Sequence, residues 1–317
     1  MTKYSFNYCP IQWYEDELAK INMTLPEFID HLGVDGIEQY VYSIDHLERP
    51  YAEQTIGVHL NYWPYWMDFW LRKAKRLQRQ FRSISERNGY FYDALSRDEW
   101  LSVIRKNICT ALEAQPEYLV WHVAEANNEE IFTWQFNYSD REVLTAAADV
   151  FNAVADEVPD NVTVLFENLW WPGLRLTDVR SVKYFFDRIK SDNVGIMLDT
   201  GHLMNNNPRL KNEAEAADYV CSIYGKLGEY GKLIRGVHLN CSLSGEYQRK
   251  HRQLPAEMTK EEIWKHIGSI DQHLPFKTAA ARQILDCVQP DYVTHELYYD
   301  SLEDLAQRLA VQRANCR

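Results

Sequence analysis

Short apolar runs alternate with longer amphipathic ones along the chain, a pattern that predicts strands joined by helical connections around a parallel sheet. The runs with strand character are Tyr4–Tyr8, Gly36–Tyr42, Thr55–Leu60, Tyr118–Val123, Val162–Glu167, Val194–Asp199, Ile234–Asn240 and Tyr292–Glu296, eight in all. Helical spacing is clearest from Asp140 to Val158, where Val143, Leu144, Ala147, Val150, Phe151 and Val154 share one face. Leu176–Lys190, Asn212–Leu227, Lys260–His273 and Ser301–Arg313 read the same way. In LPEFIDHLG, Pro26 lies in the first turn and Gly33 follows the last periodic residue, as a helix start and stop should. The connection after the second strand is short and is predicted to lack a full helix. The one after the third runs from about Asn61 to Leu112 and has room for two or three. Eight strands with no linker and no repeat predict a single-domain (β/α)8 TIM barrel over residues 1–317, with a long helical insertion after strand three. An open doubly wound sheet competes, but no GxGxxG follows the first strand.

Barrel active sites form where strands end, on the C-terminal face. Seven of the eight runs carry an acid or a histidine at or near that end: Glu38, His59, His122, Glu167, Asp199, His238 and Glu296. Gly36, Gly57 and Gly236 each precede one of them by two positions, on the same strand face, and suggest room for a shared cavity below the polar layer. Carboxylates converging on one mouth repel by roughly 4 kcal/mol per pair at 4 Å and an effective dielectric near 20. A divalent cation relieves that repulsion and can also take an imidazole ligand.

Composition narrows the class. The chain has 317 residues, 46% hydrophobic and 25% charged, which excludes disorder. Its net charge of −12 is a poor surface for holding a polyphosphate backbone, so no nucleic-acid partner is expected. The six cysteines are scattered, with no CxxC pair, and are expected as free thiols in a reducing compartment. The opening MTKYSFNYCP lacks the apolar core of a secretory signal, and no run nears the ~20 apolar residues of a membrane span. A cytoplasmic protein that engages no membrane is expected. The tight basic run Arg249-Lys250-His251-Arg252 could receive a substrate phosphate, although a solvated loop is the favoured reading. The aromatic segment Asn61–Trp70 could cap a sugar or pack between subunits of a homo-oligomer.

Four motifs carry a resemblance: LFEN around Glu167, LDTGH from Leu198 to His202, GVHLN around His238 and THEL around Glu296. In that order on strands five to eight, the chain resembles the xylose-isomerase-like barrel superfamily, which includes ketose 3-epimerases, hydroxypyruvate isomerase, inosose dehydratase and endonuclease IV. The resemblance implies one divalent ion (Mn²⁺, Co²⁺, Mg²⁺ or Zn²⁺) on Glu167, Asp199, His238 and Glu296. The two glutamates would act as the acid–base pair on either face of a small sugar, sugar phosphate or hydroxy-carbonyl substrate, through an enediolate. His202 would contact substrate or a second ion, and Glu38 matches the acid of a recurrent GIE segment. The endonuclease branch needs more ligands. His59 and His122 stand where it has two further zinc histidines, and with Glu167 they leave room for a second ion. Its Asp-x-His pattern is sought at His251, but Arg249 stands where the acid should be. The expectation is therefore a metal-dependent isomerase or epimerase, with His59, His122, His202, Glu38 and His251 around the substrate. An endonuclease IV-like phosphodiesterase and a degenerate sugar-binding barrel without turnover are the alternatives.

Overall fold

Each predicted apolar run becomes a strand, within two residues of its expected ends. The strands are β1 (Lys3–Tyr8), β2 (Gly36–Val41), β3 (Thr55–Leu60), β4 (Tyr118–His122), β5 (Thr163–Glu167), β6 (Val194–Asp199), β7 (Ile234–His238) and β8 (Tyr292–His295). In this computed structural model, which describes residues 1–316, they pair in parallel and in chain order, and β8 returns to β1 to close a (β/α)8 barrel. Register sets the polar layer. His122 lies opposite Glu167 across β4 and β5, and Asp199 lies opposite His238 across β6 and β7.

The helices follow local rules. Thr24 and Ser139 each close a capping box at the start of a helix, and Gly33 ends the first of these at φ 64°. The connection after β2 has no helix, as expected, while the insertion after β3 holds four: Met67–Trp70, Ala74–Arg79, Ile84–Tyr90 and Arg97–Leu112. Helices Gln12–Lys20 and Ala280–Val288 were not foreseen. The helix expected over Lys260–His273 stops at Ile270, and His273 turns into the left-handed region at φ 44°. That early stop matters for the site.

The aromatic segment Asn61–Trp70 is mostly core rather than contact surface. Trp63, Trp66, Met67 and Phe69 are buried; Trp66 stacks on Trp100 and Phe69 on Phe91, while Trp63 meets Trp100 edge-on. The glycines do not open a cavity either. The space above Gly57 is filled by the Tyr118 ring, and that beside Gly236 by the Met197 thioether. With Ile56, Val120, Leu165 and Tyr292 these side chains plug the barrel floor. Among the described residues no helix is long and apolar enough to cross a membrane.

The barrel is sealed where its ends meet. Leu302, Leu305 and Leu309 of the last helix pack on Phe6, Phe28 and Leu297 beside β1 and β8. Leu305→Ala, at a fully buried position, is expected to cost about 2–5 kcal/mol in urea unfolding. Leu95→Ala, at a side chain 66% exposed, should shift the midpoint by about 0.5 kcal/mol or less.

Candidate metal centre

Above the floor sits a layer of imidazoles and carboxylates, and its lowest member is Glu38. That side chain is fully buried and accepts hydrogen bonds from Asn7 Nδ2, the Tyr118 hydroxyl and Thr294 Oγ1. It also lies 3.0 Å from His238 Nε2. Glu38 therefore does not face substrate, as the sequence had suggested. It accepts a hydrogen bond from His238 Nε2 and so turns Nδ1 toward the mouth, the usual device for orienting a ligating histidine.

Glu167 stands at the centre. Its Oε2 lies 3.2 Å from both His59 Nε2 and His122 Nε2. Its Oε1 lies 3.1 Å from His202 Nδ1 and 3.4 Å from His238 Nδ1. His238 Nδ1 is in turn 3.0 Å from Glu296 Oε2. Both Glu167 oxygens, Glu296 Oε2 and His238 Nδ1 are buried without a hydrogen-bond partner, whereas His202 Nδ1 is directed to the Asn168 carbonyl. Buried lone pairs facing one another at about 3 Å are costly unless positive charge lies between them.

Among the described residues, four groups of side chains have the spacing to hold an ion: His59, His122 and Glu167; Glu167, Asp199, His238 and Glu296; Asp199, His202 and His273; and His59, His238 and Glu296. Beside the third group, Asp271 Oδ2 lies between the two rings, 3.2 Å from His202 Nε2 and 2.7 Å from His273 Nε2. Two ligands, each ~2.0–2.1 Å from a tetrahedral ion, are separated by roughly 3.3 Å, so the donor spacings fit such an ion. The imidazoles are also set for the task. His202 Nδ1 lies 2.8 Å from the Asn168 carbonyl and His273 Nδ1 3.1 Å from that of Glu296, and the Nε2 of each ring meets Asp271 Oδ2 in a hydrogen bond. Burial lowers His122 to about 3, so its ring is uncharged. Burial, with Glu296 and Asp271 adding to it against the pull of His202, pushes Asp199 up to about 7. Without a cation the layer must hold protons, which a divalent ion would displace.

The sequence located most of this layer: His59, His122, Glu167, Asp199, His202, His238 and Glu296 converge. It missed Asp271 and His273, which were read into the end of a helix. The acid of the Asp-x-His pattern is therefore Asp271 with His273, and not Arg249 with His251. His251 lies outside the layer, exposed on the rim, with its ring stacked on Tyr247 at 4.0 Å. Its neighbours are similarly occupied: Arg249 bonds the Pro208 carbonyl, Lys250 pairs with Glu246, and Arg252 lies over the Trp134 ring. Aromatic rings wall the cluster. Tyr62 stacks on His122 at 4.2 Å, Trp170 lies 5.1 Å from His202, and the Tyr40 hydroxyl donates to Glu296 Oε1 at 2.7 Å.

A family model described as "Xylose isomerase-like TIM barrel" matches residues 27–287. A curated relative, the probable endonuclease 4 of Metamycoplasma arthritidis, is 26% identical over 137 residues, or 43% of this chain. That stretch spans 45% of the relative, less than half its length. Among solved structures, endonuclease IV from Thermus thermophilus has a TM-score of 0.54 at 15% identity, covering 99% of this chain and 98% of that one. A D-tagatose 3-epimerase-like protein gives 0.51 at 16% identity, with all of both chains covered. A 3-keto-D-glucoside 4-epimerase from E. coli gives 0.51 at 16%, covering 99% of this chain and 100% of that one. At these identities the structures share the fold.

Elemental analysis after loading with zinc or manganese tests the site. Wild type is expected to hold more than one ion per chain. Glu167→Gln, at a residue shared by two groups, should lose more ions than Asp271→Asn, at a residue in none of them. Glu38→Gln should keep every ligand yet weaken metal affinity by about 10–100-fold, because His238 loses its anchor. A wild type that holds no stoichiometric ion would show the site to be misassigned.

Proposed function

The chain belongs to the xylose isomerase-like TIM barrel family, and from that premise we propose that it is a multi-metal hydrolase of phosphate diesters. The observation that carries this reading is the state of Glu167. An isomerase with one ion needs a carboxylate oxygen free to take a proton. Glu167 Oε2 is crowded by His59 and His122 and Oε1 by His202 and His238, with no hydrogen-bond partner on either. A carboxylate so placed would serve more than one ion, and the layer also includes Asp271 and His273, which a one-ion isomerase does not need.

Bound divalent ions would supply Lewis acidity to a phosphoryl group approaching the layer. The chain's own part is to hold the ligand set rigid and dry. Glu38 and the carbonyls of Asn168 and Glu296 fix three imidazoles through their far nitrogens. Tyr40 holds Glu296 through Oε1, which leaves Oε2 turned to His238. Tyr62 and Trp170 keep bulk water from two sides.

Carbohydrate isomerisation is the second reading, favoured by the enclosure of the layer: Glu167 and His238 are fully buried and Glu296 is 6% exposed. One residue separates the two. Asp271 lies outside the group Glu167, Asp199, His238 and Glu296. Under the hydrolase reading, Asp271→Asn lowers kcat on bis(p-nitrophenyl) phosphate at least tenfold, and Glu167→Gln at least a hundredfold. Solvent deuterium uptake by a ketose or hydroxypyruvate that survives Asp271→Asn, with no diester cleaved, would reverse the order.

A further inference from the structure

The barrel mouth is roofed on one side only. The insertion after β3 reaches the connection after β7, on the opposite side of the barrel, where Arg82 Nη2 donates to the Met258 carbonyl at 3.2 Å. The connection after β4 meets the same segment, with His266 Nε2 3.0 Å from the Ile131 carbonyl and its ring 4.3 Å from Phe132. Beneath these contacts, the residues following β5 and β6 are buried almost without break. After β2 and β8 the pattern reverses. Tyr42 and Tyr298 are each 49% exposed.

Both rings connect to the ligand layer. Tyr298 stacks on His273 with centroids 4.4 Å apart, and Tyr42 stacks on Tyr40, whose hydroxyl holds Glu296. The three strand ends from β2 through β1 to β8 span only ~10 Å, at about 4.8 Å per neighbour. Among the described residues, the rim there has no free cation to grip further phosphates. Arg49 is paired with Glu15 at 2.7 Å, and Asp45, Glu48 and Asp300 are exposed acids.

We infer that this sector admits a free, nucleoside-sized phosphate ester, with its phosphate toward the ligand layer and its flat ring against Tyr42 and Tyr298. The inference rests on the phosphodiesterase reading and adds the class of substrate. Flat heterocycles stack on tyrosine whatever their edge pattern, so the two rings select for a ring and not for a base identity.

Calorimetry on the metal-loaded protein tests it with thymidine 5′-monophosphate, ribose 5-phosphate and inorganic phosphate. The nucleotide is expected to bind at least fivefold tighter than either of the others. Tyr42→Ala should remove most of that difference, and Tyr42→Phe should restore it, because the ring and not the hydroxyl makes the contact. Tyr298→Ala should act alike, with metal content measured because Tyr298 touches His273. Equal affinity for the nucleotide and ribose 5-phosphate, an unchanged preference in Tyr42→Ala, or an abasic duplex that displaces the nucleotide at equimolar sites would each overturn the inference. Absence of phosphate binding together with absence of diester cleavage would instead sink the function on which it rests.

Discussion

A carboxylate with no hydrogen-bond donor on either oxygen, buried among four imidazoles, is the constraint around which this barrel is organised. Glu167 ends β5 with both oxygens orphaned, at a depth where an isolated charge is strongly disfavoured. The cost is tolerable only if cationic charge sits on both sides of the group. The surroundings are consistent with that demand. Imidazoles from β3, β4, β7 and the short helix Thr200–Asn205 after β6 present nitrogens to Glu167, and further acids stand behind them. Protons on the histidines could meet the demand in part, but His122 is too deeply buried to carry one near neutrality.

The layer is held from below as firmly as from the sides. Glu38 ties β2 to β1, β4, β7 and β8 through Asn7, Tyr118, His238 and Thr294. Tyr118 can reach it because Gly57 on the neighbouring strand offers no side chain in the way. A packing feature of the floor thus sets the tautomer of a ring one layer higher. Stability and site geometry share the same contacts here, so damage to the floor would be felt in the layer before the fold is lost.

The barrel was legible because strands buried on both faces leave short, dense apolar runs, and the eight runs in this chain have few competitors. Seven site residues were legible for a related reason: each ends such a run, or follows one in LDTGH. Asp271 and His273 escaped because IGSIDQH continues the apolar spacing of the preceding helix, and only the backbone shows the turn after Ile270. The Asp-x-His spacing of the pair is itself visible in the sequence as Asp271-Gln272-His273. Glu38 was found and misread, because strand-end logic gives a residue's face but not its depth. Two residues earlier on the strand means one layer further from the mouth. The roof was not readable at all, since contacts between the connections after β3, β4 and β7 leave no periodic trace.

The ligands are scattered along the chain, from His59 to Glu296, and the last helix is what seals β8 against β1. During synthesis at about 5–20 residues per second, on the order of ten seconds or more separate the emergence of the first ligand from that of the last. Over that interval the early histidines and Glu167 are presented without their later partners, and they would offer any ion only incomplete coordination. The full donor set exists only once the chain end has docked. Any metal the protein retains would thus be selected by exchange into a closed barrel, and the order in which these side chains leave the ribosome would have no hold over it.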